Sequence, residues 1–288
     1  MPPAALGLLL IAAVLHATWN LLVKRAREKH IFTWCSLLVG AICFAPLLVQ
    51  AASFPLGILP YVIFSAIFEG MYFLVLIRAY ANGDFSLVYP MARGTAPALL
   101  TVWAILFLGE RPRLYGLIGI GLLVCGLIIV GGKSWWALRS LRKGSSLSSS
   151  AVILALGVAF CISIYSAIDG AAVQHVAPLP YTVLVMGLTS LLIAPTVVVR
   201  YGNQAILAEW RANWSRIILV GILSLLSYML VLFAYSISQV SYAGSIREIS
   251  IVFGAFLGWR WLGEEFGVIR VIGAVFIFAG ILVIAVAG

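Results

Sequence analysis

Long apolar segments, separated by short polar or basic stretches, run the length of the chain. A membrane-spanning helix needs about 20 consecutive apolar residues. Segments of this size predict membrane-spanning helices at 6–23, 31–50, 57–80, 86–108, 114–131, 151–173, 179–199, 215–237, 241–262 and 267–287. Their apolar residues are continuous and do not alternate with polar ones, which argues against a membrane β-barrel. The predicted fold class is an all-α integral membrane protein with ten transmembrane helices.

The composition agrees with this pattern. Of the 288 residues, 64% are hydrophobic and 9% are charged, and the mean hydropathy is +1.14, whereas soluble domains are about half apolar and a quarter charged. Ten spans leave about 80 residues for loops and ends, too few for a soluble catalytic or DNA-binding domain of about 100 residues. The net charge of +9 therefore does not indicate a nucleic-acid partner.

The sequence shows no arrangement that is typical of catalysis or of metal binding. The cysteines fall inside apolar runs without CxxC or Cys/His spacing; they are Cys35, Cys43, Cys125 and Cys161. The chain also lacks a phosphate-binding Walker motif and a convergent nucleophile and base. The first apolar segment has no basic stretch before it, so we expect it to be retained as a span and not cleaved as a signal peptide. We expect no enzymatic activity, no cofactor and no metal.

An internal repeat divides the chain. A shift of 154 positions aligns Arg93 with Arg247, Leu108-Gly109-Glu110 with Leu262-Gly263-Glu264, Ile118-Gly119 with Ile272-Gly273, and Gly126 with Gly280. The arginine-to-glutamate spacing of 17 is the same in both halves. We therefore predict a first five-helix repeat at 1–131, a basic and Ser-rich linker at 132–150, and a second repeat at 151–288.

An odd number of helices in each repeat makes the second copy enter the membrane from the opposite side. The two repeats are then inverted and related by a pseudo-two-fold axis in the membrane plane. Inverted repeats favour alternating access, because exchange of the two halves' conformations converts an outward-open state into an inward-open one. The pattern favours transport.

The repeated segments resemble the EamA type of the drug/metabolite transporter superfamily. The resemblance rests on Phe107–Pro112, on Trp261–Glu265 and on His16-Ala17-Thr18-Trp19-Asn20 in the first helix. It implies ten helices in two repeats, with the fourth and ninth helices lining a central cavity. Members of this superfamily carry amino acids, sugars, nucleotide-linked metabolites, drugs and cations, so the resemblance identifies the scaffold more closely than the substrate.

Basic residues are concentrated in the loops on one side of the membrane. The turn after the first helix, the linker and the connection between the seventh and eighth helices hold most of them, whereas the opposite loops contain Arg111 and Arg113. Positive charge marks the cytoplasmic side, so the charge distribution predicts that both termini are outside. The resemblance more often implies termini inside the cell; we take the charge distribution as the stronger indicator.

Ionisable side chains inside a span cost about 2.5 to 3.5 kcal/mol on insertion scales and are candidates for function. Arg93 lies in the fourth span, one turn after Tyr89, and its mate Arg247 is followed directly by Glu248. Both arginines are candidate contacts for an anionic group of a substrate. In the alternative interpretation, each pairs with Glu69 or Glu248 and holds the bundle together.

Further side chains complete the predicted site. The third, fourth, eighth and ninth helices should enclose the cavity. The remaining candidate substrate contacts are Tyr89, Trp19, Asn20, Tyr72, Tyr228 and Tyr242. Candidates for proton coupling, or for charge partners of the arginines, are Glu69, Glu248 and His16.

Three acidic residues near span ends are not included in the predicted substrate site. Asp169, like Arg78, lies near the end of its span and should reach water, which makes it a weaker candidate. Glu110 and Glu264 stand at the C-terminal ends of their helices, where a negative charge is unfavourable unless it is paired or accepts hydrogen bonds. We expect these two to support the fold by accepting backbone or arginine hydrogen bonds at the turn.

These observations predict a secondary active transporter in the cell membrane, with a bacterial inner membrane as the expected location. Its substrate would be a small polar or amphipathic metabolite, such as an amino acid or an organic anion. The alternatives are a drug or cation exporter and a flippase for lipid-linked headgroups on the same scaffold. The expected partners are this small molecule and the lipid bilayer, and the protein would be a monomer or a homodimer.

Overall fold

A computed structural model of the chain describes residues 1–24, 26–50, 55–82, 85–131, 149–253 and 268–287. These residues form helices and no strand. The α-helices are α1 (Pro3–Lys24), α2 (Lys29–Phe44), α3 (Leu59–Asn82), α4 (Phe85–Phe107), α5 (Leu114–Gly131), α6 (Ser149–Ala172), α7 (Pro178–Ile237), α8 (Val240–Ile246) and α9 (Val268–Ala287). Short 3₁₀ turns lie at Ala45–Gln50, Leu56–Ile58 and Arg247–Ile249.

The long helix α7 contains two predicted spans. Its backbone leaves the helical region at Gly202, with φ 75° and ψ 159°, and at Asn213. A positive φ strains any side chain with a Cβ atom, which explains glycine at the first break. The segments 178–201 and 214–237 match the seventh and eighth predicted spans. The short piece between them, which the sequence analysis treats as part of a loop, is helical as well.

The ninth span is not a regular helix. It begins as α8, passes through the 3₁₀ turn Arg247–Ile249 and continues as helix to residue 253. The rest of the predicted span, 254–262, lies outside the described residues, as does most of the linker. Over the residues that the structure describes, helices occupy all ten predicted spans, and the predicted all-α membrane fold is confirmed.

Glycine contacts between α5 and α9 show that the repeats are inverted. A Cβ atom on Gly119 would lie 2.9 Å from the carbonyl oxygen of Gly280, and one on Gly126 would lie 2.7 Å from that of Gly273. Gly119 and Gly273 are repeat equivalents, and so are Gly126 and Gly280, so the two contacts are copies of each other. The contact positions advance along α5, from Gly119 to Gly126, while they go back along α9, from Gly280 to Gly273. The two helices are therefore antiparallel, as an axis in the membrane plane requires.

The remaining helices form two bundles that mix the repeats. The first bundle consists of α3, α4 and α6, and its core includes Ala79, Ala96 and Val158. The second bundle consists of α1, the 214–237 segment of α7 and the ninth span. Repeat symmetry exchanges the two bundles, because helices three, four and six correspond to helices eight, nine and one. Helix α2 packs on α7 beside them, where Gly40 and Gly221 bring the two backbones together.

Both chain ends lie at the same end of the molecule. The amino group of Met1 donates a hydrogen bond of 3.5 Å to the carbonyl oxygen of Ala285. We call this end the terminal face, and it also holds the loops at 108–113, 173–177 and 238–239. The opposite end, the linker face, holds the α1–α2 turn and the 202–213 piece of α7.

Candidate functional site

A cavity of about 60 Å³ lies between the two bundles, within the membrane-spanning part of the molecule. The first bundle contributes two of the lining side chains, and the second bundle contributes the rest. The lining residues are Arg93 and Tyr165 from the first bundle, and Ala12, Ala13, His16, Ser227, Tyr228, Val231, Arg247 and Ser250 from the second. Both arginines line this cavity.

A three-member charge cluster joins the bundles at this cavity. The Nη2 atom of Arg93 lies 2.8 Å from Oε2 of Glu248, and Nε of Arg247 lies 3.3 Å from Oε1 of the same carboxylate. Glu248 is 1% exposed, whereas Arg93 and Arg247 keep 14% and 10% of their side-chain surface. The carboxylate is thus buried behind the two guanidinium groups. Each arginine has a carboxylate partner and also faces the cavity, so the geometry combines both interpretations made from the sequence.

Local backbone structure positions the cluster. Arg247 and Glu248 belong to the 3₁₀ turn that interrupts the ninth span. A 3₁₀ stretch within a helix often marks a hinge, because its hydrogen bonds are poorer than those of an α-helix. On the other side, α4 carries Pro97 one turn after Arg93, and the hydroxyl of Thr101 donates a 2.9 Å hydrogen bond to the Pro97 carbonyl oxygen. Both charged segments therefore lie where helical regularity is weakened.

Aromatic side chains surround the cavity in two layers. Tyr165 and Tyr228 line it directly, with ring centroids 6.4 Å apart. Tyr72 lies behind Tyr165 at 6.4 Å, and Trp19 packs edge-on against His16 at 4.8 Å. The structure therefore places His16 and Tyr228 at the cavity, with Tyr72 and Trp19 one side chain away from it.

Other predicted contacts lie elsewhere. The Asn20 side chain is exposed and donates a 2.7 Å hydrogen bond to the carbonyl oxygen of His16. Tyr242 is buried at the terminal face, where its hydroxyl accepts a 2.9 Å hydrogen bond from the backbone N–H of Arg113. Tyr89 lies in α4, and its side chain is outside the described part of the structure. The structure does not bring Asn20 and Tyr242 to the cavity.

The helices that line the cavity differ from the expected set. The fourth, eighth and ninth helices do so as predicted, but α1 and α6 supply lining residues in place of α3. The reason is packing. Helix α3 packs behind α6, as seen from the cavity. Glu69 of α3 therefore points elsewhere, and its carboxylate accepts a 2.8 Å hydrogen bond from Thr189 of α7.

Asp169 is a residue whose importance the sequence analysis underestimates. It was expected to reach water but is fully buried. Its Oδ1 atom accepts a 2.6 Å hydrogen bond from the Tyr181 hydroxyl, and Oδ2 accepts a short one from the Tyr228 hydroxyl. Its partners Tyr181 and Tyr228 come from other parts of the chain, so no spacing in the sequence marks this position.

Glu110 joins the bundles at the terminal face. Its carboxylate accepts hydrogen bonds from the backbone N–H groups of Val240 and Ser241, the second at 3.2 Å, and from the Ser241 hydroxyl at 2.5 Å. A negative charge is favourable at a helix N-terminus, where these N–H groups have no partner within the helix. The expected fold role of Glu110 is confirmed, while Glu264 lies outside the described residues.

Comparisons with known proteins agree with the fold. The model of the EamA-like transporter family matches residues 3–132 and again residues 149–286. One solved structure, described as the crystal structure of a protein, is similar over 100% of both chains, with a TM-score of 0.76 and 15% sequence identity. At this identity the likeness concerns the fold alone. No relative among curated proteins matches the sequence.

Proposed function

Because the chain belongs to the EamA-like transporter family, whose members are transporters and not enzymes, we propose that it is a secondary transporter for a small zwitterionic metabolite of the amino-acid class. Transport would proceed by alternating access, with the two bundles separating first at one face and then at the other. The observation that carries this proposal is the Arg93–Glu248–Arg247 cluster, which lies at a membrane-buried cavity between the bundles.

A zwitterion matches the Arg93–Glu248 pair of this cluster charge for charge. Its carboxylate would pair with the guanidinium of Arg93, for which a bidentate, charge-assisted contact is the favoured geometry. Its ammonium group would pair with Glu248, which the substrate would release from Arg93. An exchange of one ion pair for another leaves no buried charge without a partner, and an unpaired charge would be costly in the membrane.

The size of the cavity agrees with an occluded conformation. Pockets for small molecules usually measure about 300 to 1,000 Å³, and this cavity measures about 60 Å³. An amino acid would therefore enter only after the bundles move apart. Tyr165, Tyr228 and Val231 would then offer aromatic and aliphatic surface to its side chain.

The test is counterflow in proteoliposomes that contain the purified protein. Radiolabelled amino acids, organic acids and organic cations are each offered to vesicles loaded with the same unlabelled compound. We expect saturable exchange of one or more zwitterionic amino acids. Saturable exchange of organic acids alone, or of no soluble solute, would contradict the proposal.

Arg93 provides the matched variants. Arg93→Lys keeps the charge and loses the bidentate geometry, so substrate binding should weaken by about 1.5 to 3 kcal/mol, or roughly ten- to 150-fold in half-saturation concentration. Arg216→Gln, at an exposed position in α7, is the control and should exchange like the wild type. Unchanged affinity in a folded Arg93→Lys protein would remove Arg93 from the site.

An organic cation is the second candidate substrate. The carboxylates Glu69, Asp169 and Glu248 do not line the cavity but lie in the surrounding helices, and among the described residues there they outnumber the guanidinium groups of Arg93 and Arg247. A surplus of negative charge favours a cation, and the counterflow panel separates this case. Exchange of organic cations without exchange of amino acids would establish it.

A further inference from the structure

A second polar cluster lies between the bundles, on the terminal-face side of the cavity. Its centre is Asp169 of α6, which is 0% exposed. Tyr181 of α7 donates to one carboxylate oxygen at 2.6 Å, and Tyr228 of α7 donates to the other. Among the described residues, no lysine, arginine or histidine forms an ion pair with this carboxylate.

The hydrogen bond between Tyr228 and Asp169 crosses the gap between the bundles. Asp169 belongs to the first bundle, and Tyr228 belongs to the second and lines the cavity. Separation of the bundles at the terminal face would break this bond and expose the carboxylate to water. The state of Asp169 is therefore tied to the conformational change that transport requires.

The surrounding charges favour one bound proton. Glu248 already balances part of the two guanidinium charges, and Asp169 and Glu69 together carry one negative charge more than the remaining guanidinium group offsets. A buried uncompensated charge is costly in a membrane. The ionised form of Asp169 is nevertheless supported by two hydroxyl donors, so this position accommodates either charge state.

From this geometry we infer that Asp169 is the proton-binding site that couples transport to a proton gradient, with Tyr228 as its connection to the cavity. The inference rests on the proposed transport function. To load the site, the Tyr228 hydroxyl gives its proton to the Asp169 carboxylate and takes one from a hydronium ion in the cavity, which becomes water. The net result is one proton moved from the cavity to Asp169, with Tyr228 unchanged. When the bundles separate at the terminal face and the Tyr228 bond breaks, Asp169 releases this proton directly to the water there.

Glu69 is the competing carboxylate, and its position is less suited to this role. Its hydrogen-bond donor, Thr189, is on the 178–201 segment of α7, which belongs to neither bundle, and Thr189 is not among the residues that line the cavity. Separation of the bundles would leave this contact intact. Glu69 therefore lacks both the connection to the cavity and the link to the conformational change.

Titratable and polar groups from several packed elements face Asp169, and the pH response reflects all of them. They are Ser65 and Glu69 of α3, Tyr181, Tyr228 and Tyr235 of α7, and Arg247 of the 3₁₀ turn. Variants of both carboxylates are therefore needed to assign a titration to one of them.

The first test needs no substrate. Infrared difference spectra of the purified protein in liposomes, recorded between acidic and alkaline pH, report the carbonyl stretch of protonated carboxyl groups. We expect a band that disappears in Asp169→Asn, returns shifted in Asp169→Glu and persists in Glu69→Gln. A band that survives Asp169→Asn and disappears in Glu69→Gln, or no pH-sensitive carboxyl band in the wild type, would overturn the inference.

The second test separates coupling from transport, with L-leucine as the probe. In the wild type, a pH gradient should drive L-leucine accumulation or efflux. Asp169→Asn should lose this response but retain counterflow of L-leucine at equal pH on both sides. A pH gradient that still drives L-leucine movement in Asp169→Asn would contradict the inference. Absence of L-leucine counterflow in the wild type would count against this substrate, while the infrared result would still decide the proton site.

If Asp169→Asn does not fold, Tyr228→Phe provides the deciding variant. It removes the hydroxyl between the carboxylate and the cavity and retains the ring that packs on Tyr165. We expect the infrared band to persist and the pH-driven movement of L-leucine to slow. A pH-driven rate equal to that of the wild type would exclude Tyr228 as the connection.

Discussion

Asn20 and Asp169 lie near the end of the first helix of their respective repeats, yet their surroundings differ. Asn20, near the linker face, is exposed and bonds within its own helix. Asp169, near the terminal face, is fully buried and receives two tyrosine hydroxyls. In the alternating access that we propose, such a difference between the first helices of the two repeats indicates which face of the protein is closed.

Under this proposal, the terminal face is the closed one. Three contacts between the bundles extend from the cavity towards this face: Arg93 with Glu248, Asp169 with Tyr228, and Glu110 with Val240 and Ser241. At the linker face, Asn20 reaches no such partner. When the bundles exchange conformations, we expect Asp169 to become exposed and the Asn20 position to become buried.

The largest effect should come from Glu248, which both arginines contact. Glu248→Gln leaves two guanidinium groups in the membrane without their common partner. Breaking a buried ion pair in this way typically costs about 3 to 5 kcal/mol. Thermal unfolding in detergent measures the loss, and the double variant Arg93→Gln with Glu248→Gln should recover part of it. If the losses of stability in the two single variants simply add up in the double variant, Arg93 and Glu248 do not interact, and the cluster does not join the bundles.

The next largest effect on stability tests the close contact between α5 and α9, from which the inverted arrangement of the repeats was inferred. Gly126→Ala would place a Cβ atom 2.7 Å from the backbone oxygen of Gly273, and such overpacking costs about 1 to 3 kcal/mol. Gly121→Ala, on the same helix but with no atom within 4 Å of the new Cβ, is the control and should be neutral or slightly stabilising. Similar unfolding temperatures for the two variants would contradict the close α5–α9 contact.

A smaller effect should appear when the terminal face loses Glu110. Glu110→Ala removes the acceptor for the first N–H groups of α8, and loss of such a cap costs about 0.5 to 2 kcal/mol. If this cost falls on the closed state alone, the fraction of molecules that are open at the terminal face should rise about 2- to 30-fold. Maleimide labelling of Ala243→Cys, a buried position near this face, measures it in a protein that lacks the native cysteines. Unchanged labelling would mean that Glu110 stabilises the fold equally in both states.

The smallest effect concerns the comparison itself. Asn20→Ala changes an exposed side chain and should shift the free energy of unfolding by no more than about 0.5 kcal/mol. Asp169→Ala should cost more, about 1 to 3 kcal/mol, because it removes the acceptor of the Tyr181 and Tyr228 hydroxyls. A cost for Asn20→Ala as large as that for Asp169→Ala would remove the asymmetry between the two ends.

The sequence predicts the fold well because the dominant signal is the length of its apolar runs. Water is absent from the bilayer core, so a run of sufficient length has few alternatives to a helix. Arg93 and Arg247 were identified for a similar reason: charge inside a span is costly, so its presence there is informative.

Which side chains face the cavity is harder to predict. Asp169 lies near a span end, but Tyr181 and Tyr228 of the same repeat cover it, and this packing leaves no periodic signal in the sequence. Tyr242 is an aromatic residue in the ninth span. That span begins at the terminal face, so its first turn, with Tyr242, lies between the cavity and this face. The position of a residue along its span predicts how deep it lies in the membrane, whereas the direction of its side chain depends on how the bundles pack.

The most direct test of alternating movement is a pair of distances measured by double electron–electron resonance. One pair of spin labels, at His175 and Ile237, reports the separation of the bundles at the terminal face, and the other, at Ser150 and Arg216, reports the linker face. Addition of L-leucine or a change of pH should shift the two distances in opposite directions. Distances that rise or fall together, or that do not respond to either condition, would contradict exchange between the two bundles.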